Sequence, residues 1–151
     1  MPNKRRVLFL CPEFFNYEKV IATALKKKFE QVDFVNLRSS SSFLKRKLFP
    51  HSKSIRARII KCLKGHSYDA ILIFKGENIS ETLMKKIAFL HKRNIYLYNW
   101  DSIENFNNVH LFKYCTQVFS FDPTDCKKYN LSYKELFLSR LIDRDQNYFE
   151  N

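Results

Sequence analysis

Short apolar runs alternate along this chain with segments whose apolar residues recur at helical spacing. Residues 5–10 (RRVLFL) end at Cys11-Pro12 and predict a buried parallel strand. From Asn16 the period changes: Tyr17, Val20, Ile21, Ala24, Leu25 and Phe29 fall on one helical face, with Lys26, Lys27 and Lys28 near its C-terminus, where cations offset the dipole. Residues 31–36 (QVDFVN) predict a second strand, and the serines at 39–42 a turn or flexible loop. A helix over 54–64 sets Ile55, Ile59, Cys62 and Leu63 apart from Lys53, Arg56, Lys61 and Lys64.

The same alternation continues to the C-terminal region. Residues 69–74 (DAILIF) predict the third strand, and Ser80 caps a helix whose Leu83, Met84, Ile87 and Ala88 face inward. Residues 94–99 (NIYLYN) predict the fourth strand, 109–114 a short helix and 117–121 (QVFSF) the fifth strand. Asp122 then suits an N-cap, Pro123 the first helical position and Asp125 the positive end of the dipole, before a last short strand within 133–138. Strand and helix in strict alternation predict an α/β, Rossmann-like three-layer sandwich with five or six parallel strands and right-handed crossovers. The two most apolar strands, the first and third, should be neighbours. A single domain over 1–138 and a polar tail over 139–151 follow.

Composition narrows the class. A chain of 151 residues that is 45% hydrophobic, with 15 Phe and 8 Tyr, can bury a core without staples, and its 2 Gly and 4 Pro argue against loop-rich or all-β folds. Cys11, Cys62, Cys115 and Cys126 form no C-x-x-C pair, which suggests reduced thiols in a cytoplasmic protein. Neither a signal peptide nor an apolar run near the ~20 residues of a membrane span is present. The net charge of +12 lies wholly in residues 1–64, where 16 Lys and Arg face 4 Asp and Glu. Within residues 38–64 there are nine cations, among them Arg46, Lys53, Arg56, Lys61 and Lys64, and no acid. Such a stretch is either a solvated face or a surface for phosphates, nucleic acid or an anionic membrane.

Candidate chemistry collects at the strand ends: Cys11-Pro12-Glu13, Lys75-Gly76-Glu77, Trp100-Asp101-Ser102 and Asp122-Pro123-Thr124-Asp125. Open α/β sheets bind ligands outside the carboxyl ends of their strands, so these clusters should share one crevice. Glycine-rich phosphate loops and a G-x-S-x-G elbow are absent, and His51, His66, His91 and His110 lack metal-ligand spacing, so the reading calls for no cofactor and no metal. Lys75 and the acidic loops share residue types with a phospho-receiver, but their order along the chain differs from a receiver's. Glu13, Glu77 and Asp101 can act as general bases or accept hydrogen bonds from sugar hydroxyls, and Phe14 and Trp100 offer flat apolar surfaces. Each also has a structural reading: Asp101 capping a turn, Glu77 answering Lys75, Trp100 closing the core, Asp122 and Asp125 capping a helix.

At these clusters the chain resembles the N-terminal half of CgeB-like glycosyltransferase-type proteins of bacterial capsule, lipopolysaccharide and spore-surface polysaccharide gene clusters. The matching stretches are LFLCPEFFNYEKVIATALKKKFEQVDFVNLR, YDAILIFKGENISETLMKKI, NIYLYNWDSI and VFSFDPTDCKKYNL, in order over about residues 5–137. The glycine usual between the first helix and second strand is replaced by Phe29-Glu30-Gln31. The resemblance implies a GT-B architecture in which a second domain holds the nucleotide-sugar, and this chain is expected to be the acceptor-side domain alone, either a naturally shortened protein or one part of a split enzyme whose other chain carries that second domain. It implies Glu13 and Asp101 as catalytic groups, Cys11, Phe14, Lys75, Glu77 and Trp100 as substrate contacts, and a glycan or lipid-linked acceptor. The basic stretch would meet an anionic membrane from the cytoplasmic side. The chain alone is expected to be inactive, and the competing expectation is a non-enzymatic module that binds nucleic acid or another polyanion.

Overall fold

In the computed structural model, residues 5–38 and 51–136 are described, with side chains from Ile55 onward in the second stretch. The serine run, Arg46, the cations beside it and the tail at 139–151 lie outside the described residues, as does the end of the last expected strand.

Six strands form one sheet: β1 (Arg6–Cys11), β2 (Gln31–Asn36), β3 (Ala70–Phe74), β4 (Ile95–Asn99), β5 (Gln117–Ser120) and β6 (Ser132–Tyr133). Every pairing is parallel and the order is β2-β1-β3-β4-β5-β6, so β3 lies beside β1 as its apolarity predicts. Among the described residues, four helices complete the alternation: α1 (Tyr17–Lys26), α2 (His51–Gly65), α3 (Glu81–Leu90) and α4 (Pro123–Tyr129). A 3-10 helix spans Val109–Tyr114. This is the Rossmann-like α/β sandwich that the alternation predicts.

The path from β1 to β2 runs one way across the sheet, and the path from β2 to β3 returns past β1. Right-handed crossovers therefore put α1 on one face and α2 on the other. On the α2 face, Leu8, Leu10, Val35, Ile71, Ile73 and Leu97 of the sheet pack with Ile55, Ile59, Leu83, Met84, Ile87 and Leu111 into one buried cluster. The α1 face is aromatic. Phe34, Phe9, Phe74 and Tyr98 form a band across four strands, with ring centroids 5.5, 5.4 and 5.3 Å apart in turn. Tyr98 donates to the Lys134 and Glu135 carbonyls, and burial pushes its phenol up to about 12.

The α1 stripe departs from expectation. Val20 is 40% exposed and Ala24 is also exposed, whereas the buried residue of this helix is Glu18. The helix packs mainly on β2, at the sheet's edge, which is too narrow to cover the whole stripe. Glu18 is drawn inward because its carboxylate accepts the Phe14 N–H at 3.2 Å, closing the turn before the helix. The other caps follow the sequence: Ser80 Oγ accepts from the Leu83 N–H and Asp122 Oδ1 from the Thr124 N–H.

His91 caps the C-terminus of α3, and its Nε2 is buried with no partner. Burial lowers its pKa, against opposing effects from a backbone hydrogen bond at Arg93 and from Asp69. The unfolded chain thus binds the proton more readily. The stability held by neutral His91 is complete above about pH 6.5 and is lost as the pH falls. The urea midpoint should therefore drop less between pH 7 and pH 5 in His91→Gln than in the parent; parallel pH profiles would contradict this.

Candidate functional site

Because all strands run the same way, the loops after β1, β2, β3 and β4 meet at one edge, and β1 and β3 diverge there into connections on opposite faces. Glu13, Arg38, Lys75, Glu77, Trp100 and Asp101 all belong to these loops. Their charges alternate. Lys75 Nζ lies 2.7 Å from Asp101 Oδ2 and 3.9 Å from Glu77 Oε2; Glu77 Oε2 in turn lies 3.4 Å from Arg38 Nε, and Arg38 Nη1 donates to the Glu13 carbonyl at 3.3 Å. A continuous polar chain thus joins the loops of four strands.

Aromatic contacts run beside it. Trp100 sits on Phe74 at 6.0 Å and faces Phe14 at 6.4 Å, extending the aromatic band of the sheet to its edge. Arg38 lies over the Phe14 ring at 4.9 Å, and Lys75 over Phe106 at 5.1 Å. Only 17% of the Lys75 side chain is exposed, so two carboxylates and an aromatic face replace much of the water an ammonium group requires.

The loop backbones are fixed from beneath. Asn36 Oδ1 accepts the Glu13 and Arg38 N–H groups, tying the β1 loop to the β2 loop, and Asn78 donates to the Leu37 carbonyl. Buried Asn108 donates to the Lys75 carbonyl and to Asn99 Oδ1, both at 2.7 Å. Asp125 Oδ2 accepts the Ile103 N–H at 2.8 Å, so this carboxylate anchors the loop after β4 as well as opening α4.

Backbone strain gathers at the same edge. Phe15, Asn16, Lys75 and Asn78 have φ values of 48, 62, 62 and 61° in the left-handed region, which is costly for a bulky residue such as Phe15. Phe15 is 76% exposed, so no burial of its ring compensates for that strain. A hollow of about 360 Å³ lies against this turn, lined by Glu13, Phe14, Phe15, Asn16, Glu18 and Lys19.

The predicted residues divide into three groups. Glu13, Phe14, Lys75, Glu77, Trp100 and Asp101 come together as expected. Cys11 does not line the crevice: it is fully buried, its thiol donates to the Pro12 carbonyl, and burial pushes its pKa well above the usual thiol range. As the last residue of β1 it points into the sheet packing, and an undissociated thiol there is no nucleophile. The cations of the basic stretch divide: Arg38 belongs to the crevice, and the described side chains on α2 stand apart from it. Arg56, Lys61 and Lys64 are exposed along α2, Lys53 lies in α2 with its side chain undescribed, and Arg46 lies outside the described residues. Sequence reasoning assigned Arg38 to the basic stretch rather than to the crevice, and overlooked Asn36 and Asn108. Applying the strand-end rule to β2 would have found Asn36 and Arg38; Asn108 carries no such signal.

Glu13 is exposed, and its carboxylate makes no hydrogen bond or ion pair to a described residue, whereas Asp101 is held by Lys75. Among the described residues, no three His, Cys, Asp or Glu side chains converge as a metal centre would need. All four cysteines are unpaired. Compared with known proteins, the chain matches no family model, no curated protein and no solved structure.

The two glycines offer a paired test of the site's rigidity. A Cβ on Gly76, at φ 74°, would lie 2.8 Å from Leu111 Cδ1, whereas one on Gly65 would meet nothing within 4 Å. Gly76→Ala should cost about 1–3 kcal/mol in urea unfolding, while Gly65→Ala should be neutral or stabilising by up to about 1 kcal/mol. Equal effects would show that the Lys75-Gly76 turn is not conformationally locked. A double-mutant cycle on Lys75→Met and Asp101→Asn should return about 1 kcal/mol of coupling; additive losses would mean that the pair is unimportant to stability.

Proposed function

We propose that this chain is the acceptor-binding domain of a glycosyltransferase that builds a bacterial surface polysaccharide, with the nucleotide-sugar held by another domain or chain. The observation that carries the reading is the pairing of Glu13, exposed and with no partner for its carboxylate among the described residues, with an aromatic surface formed by Phe14 and Trp100, beside the Lys75–Asp101 ion pair. Sugars present an apolar ring face and a rim of hydroxyls, and these residue types answer both. Supporting it are the location at the diverging ends of β1 and β3, where open α/β sheets take their ligands, and the resemblance of the strand-end segments to CgeB-like proteins.

Within this reading Glu13 is the general base for the acceptor hydroxyl, since among the described residues no cation pairs with its carboxylate. Asp101 accepts a second hydroxyl with the oxygen that Lys75 leaves open. Glu77 and Arg38 hold the rim of the crevice. Phe14 and Trp100 take the ring face, and the strained Phe15-Asn16 turn holds Phe14 and Glu13 toward the acceptor. Cys11 has no contact with substrate.

Titrating the purified chain with capsular and lipopolysaccharide-core oligosaccharides should shift amide resonances at residues 13–15, 75–77 and 100–102. Trp100→Ala and Glu13→Gln should weaken that binding by about tenfold or more, consistent with the loss of a stacked ring or a charge-assisted hydrogen bond. The chain alone should transfer no sugar from a nucleotide donor. Perturbations centred away from these loops, or none with any saccharide, would overturn the acceptor assignment. Transfer by the isolated chain would overturn the division of labour.

A further inference from the structure

Charge in this fold is sorted along the strand direction. In a parallel sheet with helical crossovers, the strands begin and the helices end at the same edge, the one remote from the crevice. There α1 finishes in exposed Lys26, Lys27 and Lys28, and α2 in exposed Lys61 and Lys64. Exposed Lys92 and Arg93 follow α3. Acids are fewer than cations at this edge among the described residues: Glu30 is exposed after the α1 lysines, Asp69 accepts the Arg6 N–H, and Asp33 is paired with Arg6 and bonded by Tyr68. Glu13, Glu77, Asp101 and Glu104 lie at the opposite edge.

Offsetting the helix dipoles explains cations at helix ends. It gives no reason for the apolar residues among them. Phe89 is 76% exposed and Leu90 36% exposed, one turn beyond exposed Lys85 and Lys86 and just before Lys92 and Arg93. An aromatic ring and a branched aliphatic side chain flanked along the chain by exposed cations match the interface of an anionic bilayer, where ammonium groups meet lipid phosphates and apolar side chains reach the acyl boundary. Leu90 favours this over a nucleic acid, since base stacking rewards flat rings.

We infer that the edge of the sheet remote from the crevice is a docking surface for an anionic membrane, with Phe89 and Leu90 inserted among its headgroups. The inference goes beyond the acceptor reading and stands without it. Its consequence for that reading is geometric. Strands of five or six residues separate the two edges by roughly 15–20 Å, so the crevice faces away from the lipid and meets the distal sugars of an acceptor.

Co-sedimentation of the purified chain with phosphatidylcholine vesicles containing 30% phosphatidylglycerol, by mole, tests it. Binding should exceed that to pure phosphatidylcholine and weaken as salt rises. Replacing Lys26, Lys27 and Lys28 together by Gln should lower the binding constant about a hundredfold, at about fivefold per cation. Phe89→Ser should lower it about tenfold without changing the salt dependence. Lys134→Gln, an exposed position following β6 at the crevice edge, should have little effect. Circular dichroism and urea midpoints at parental values would assign these losses to the surface. Binding insensitive to Phe89→Ser, equal binding to neutral vesicles, or tighter binding to a single-stranded oligonucleotide at the same ionic strength would overturn the inference.

Discussion

The crevice depends on Lys75, a cation held in the left-handed region with most of its side chain withdrawn from water. An ammonium group in that position requires compensating charge, and Asp101 and Glu77 provide it from two different loops. Glu77 then has charge to share with Arg38, which reaches the Glu13 carbonyl. The loops of four strands are thereby positioned by one electrostatic sequence, and removing its central cation would leave neighbouring carboxylates in mutual repulsion. The geometry of Glu13 and Trp100, on which the acceptor reading rests, follows from that balance.

Parallel topology makes such a balance possible. Only when β1, β2, β3 and β4 all point the same way do their C-terminal loops share an edge, and only the return of the chain past β1 separates the loops that flank it. The aromatic band from Phe34 through Phe9 and Phe74 carries sheet packing directly into the site, because Trp100 rests on Phe74. Core and crevice are therefore one packed system, and a substitution at Phe74 would be felt at Trp100.

Much of this was legible in the sequence. Continuous apolar runs marked β1 and β3 as the buried centre, and Ser80 and Asp122 announced the starts of α3 and α4 through cap chemistry that acts within a few residues. The strand-end clusters located the crevice because topology alone determines where loops gather. What escaped were properties set by contacts distant in sequence. The α1 stripe is apolar at every expected position, yet Val20 lies in the open because the supporting strand is at the sheet's edge. Cys11 looked like a site residue by position, but alternation along β1 turns it into the sheet packing. Asp125 carried a sufficient local explanation as a helix-start acid, which hid its bond to Ile103. The sorting of charge between the two edges was equally invisible, since only the topology brings cations far apart in the chain to the same edge.

The close fit behind Gly76 bears on how such a site could change. Leu111 fills the space where a side chain would stand, and Asn108 holds the carbonyl just before it. The turn is closed from the core side, so replacements there meet packing before they meet substrate. Glu13 and Phe14 stand exposed on the outer side, where a substitution alters chemistry without disturbing the support. Divergence toward a new ligand would therefore proceed at the rim first, with the Lys75-Gly76 turn inherited unchanged until Leu111 yields room.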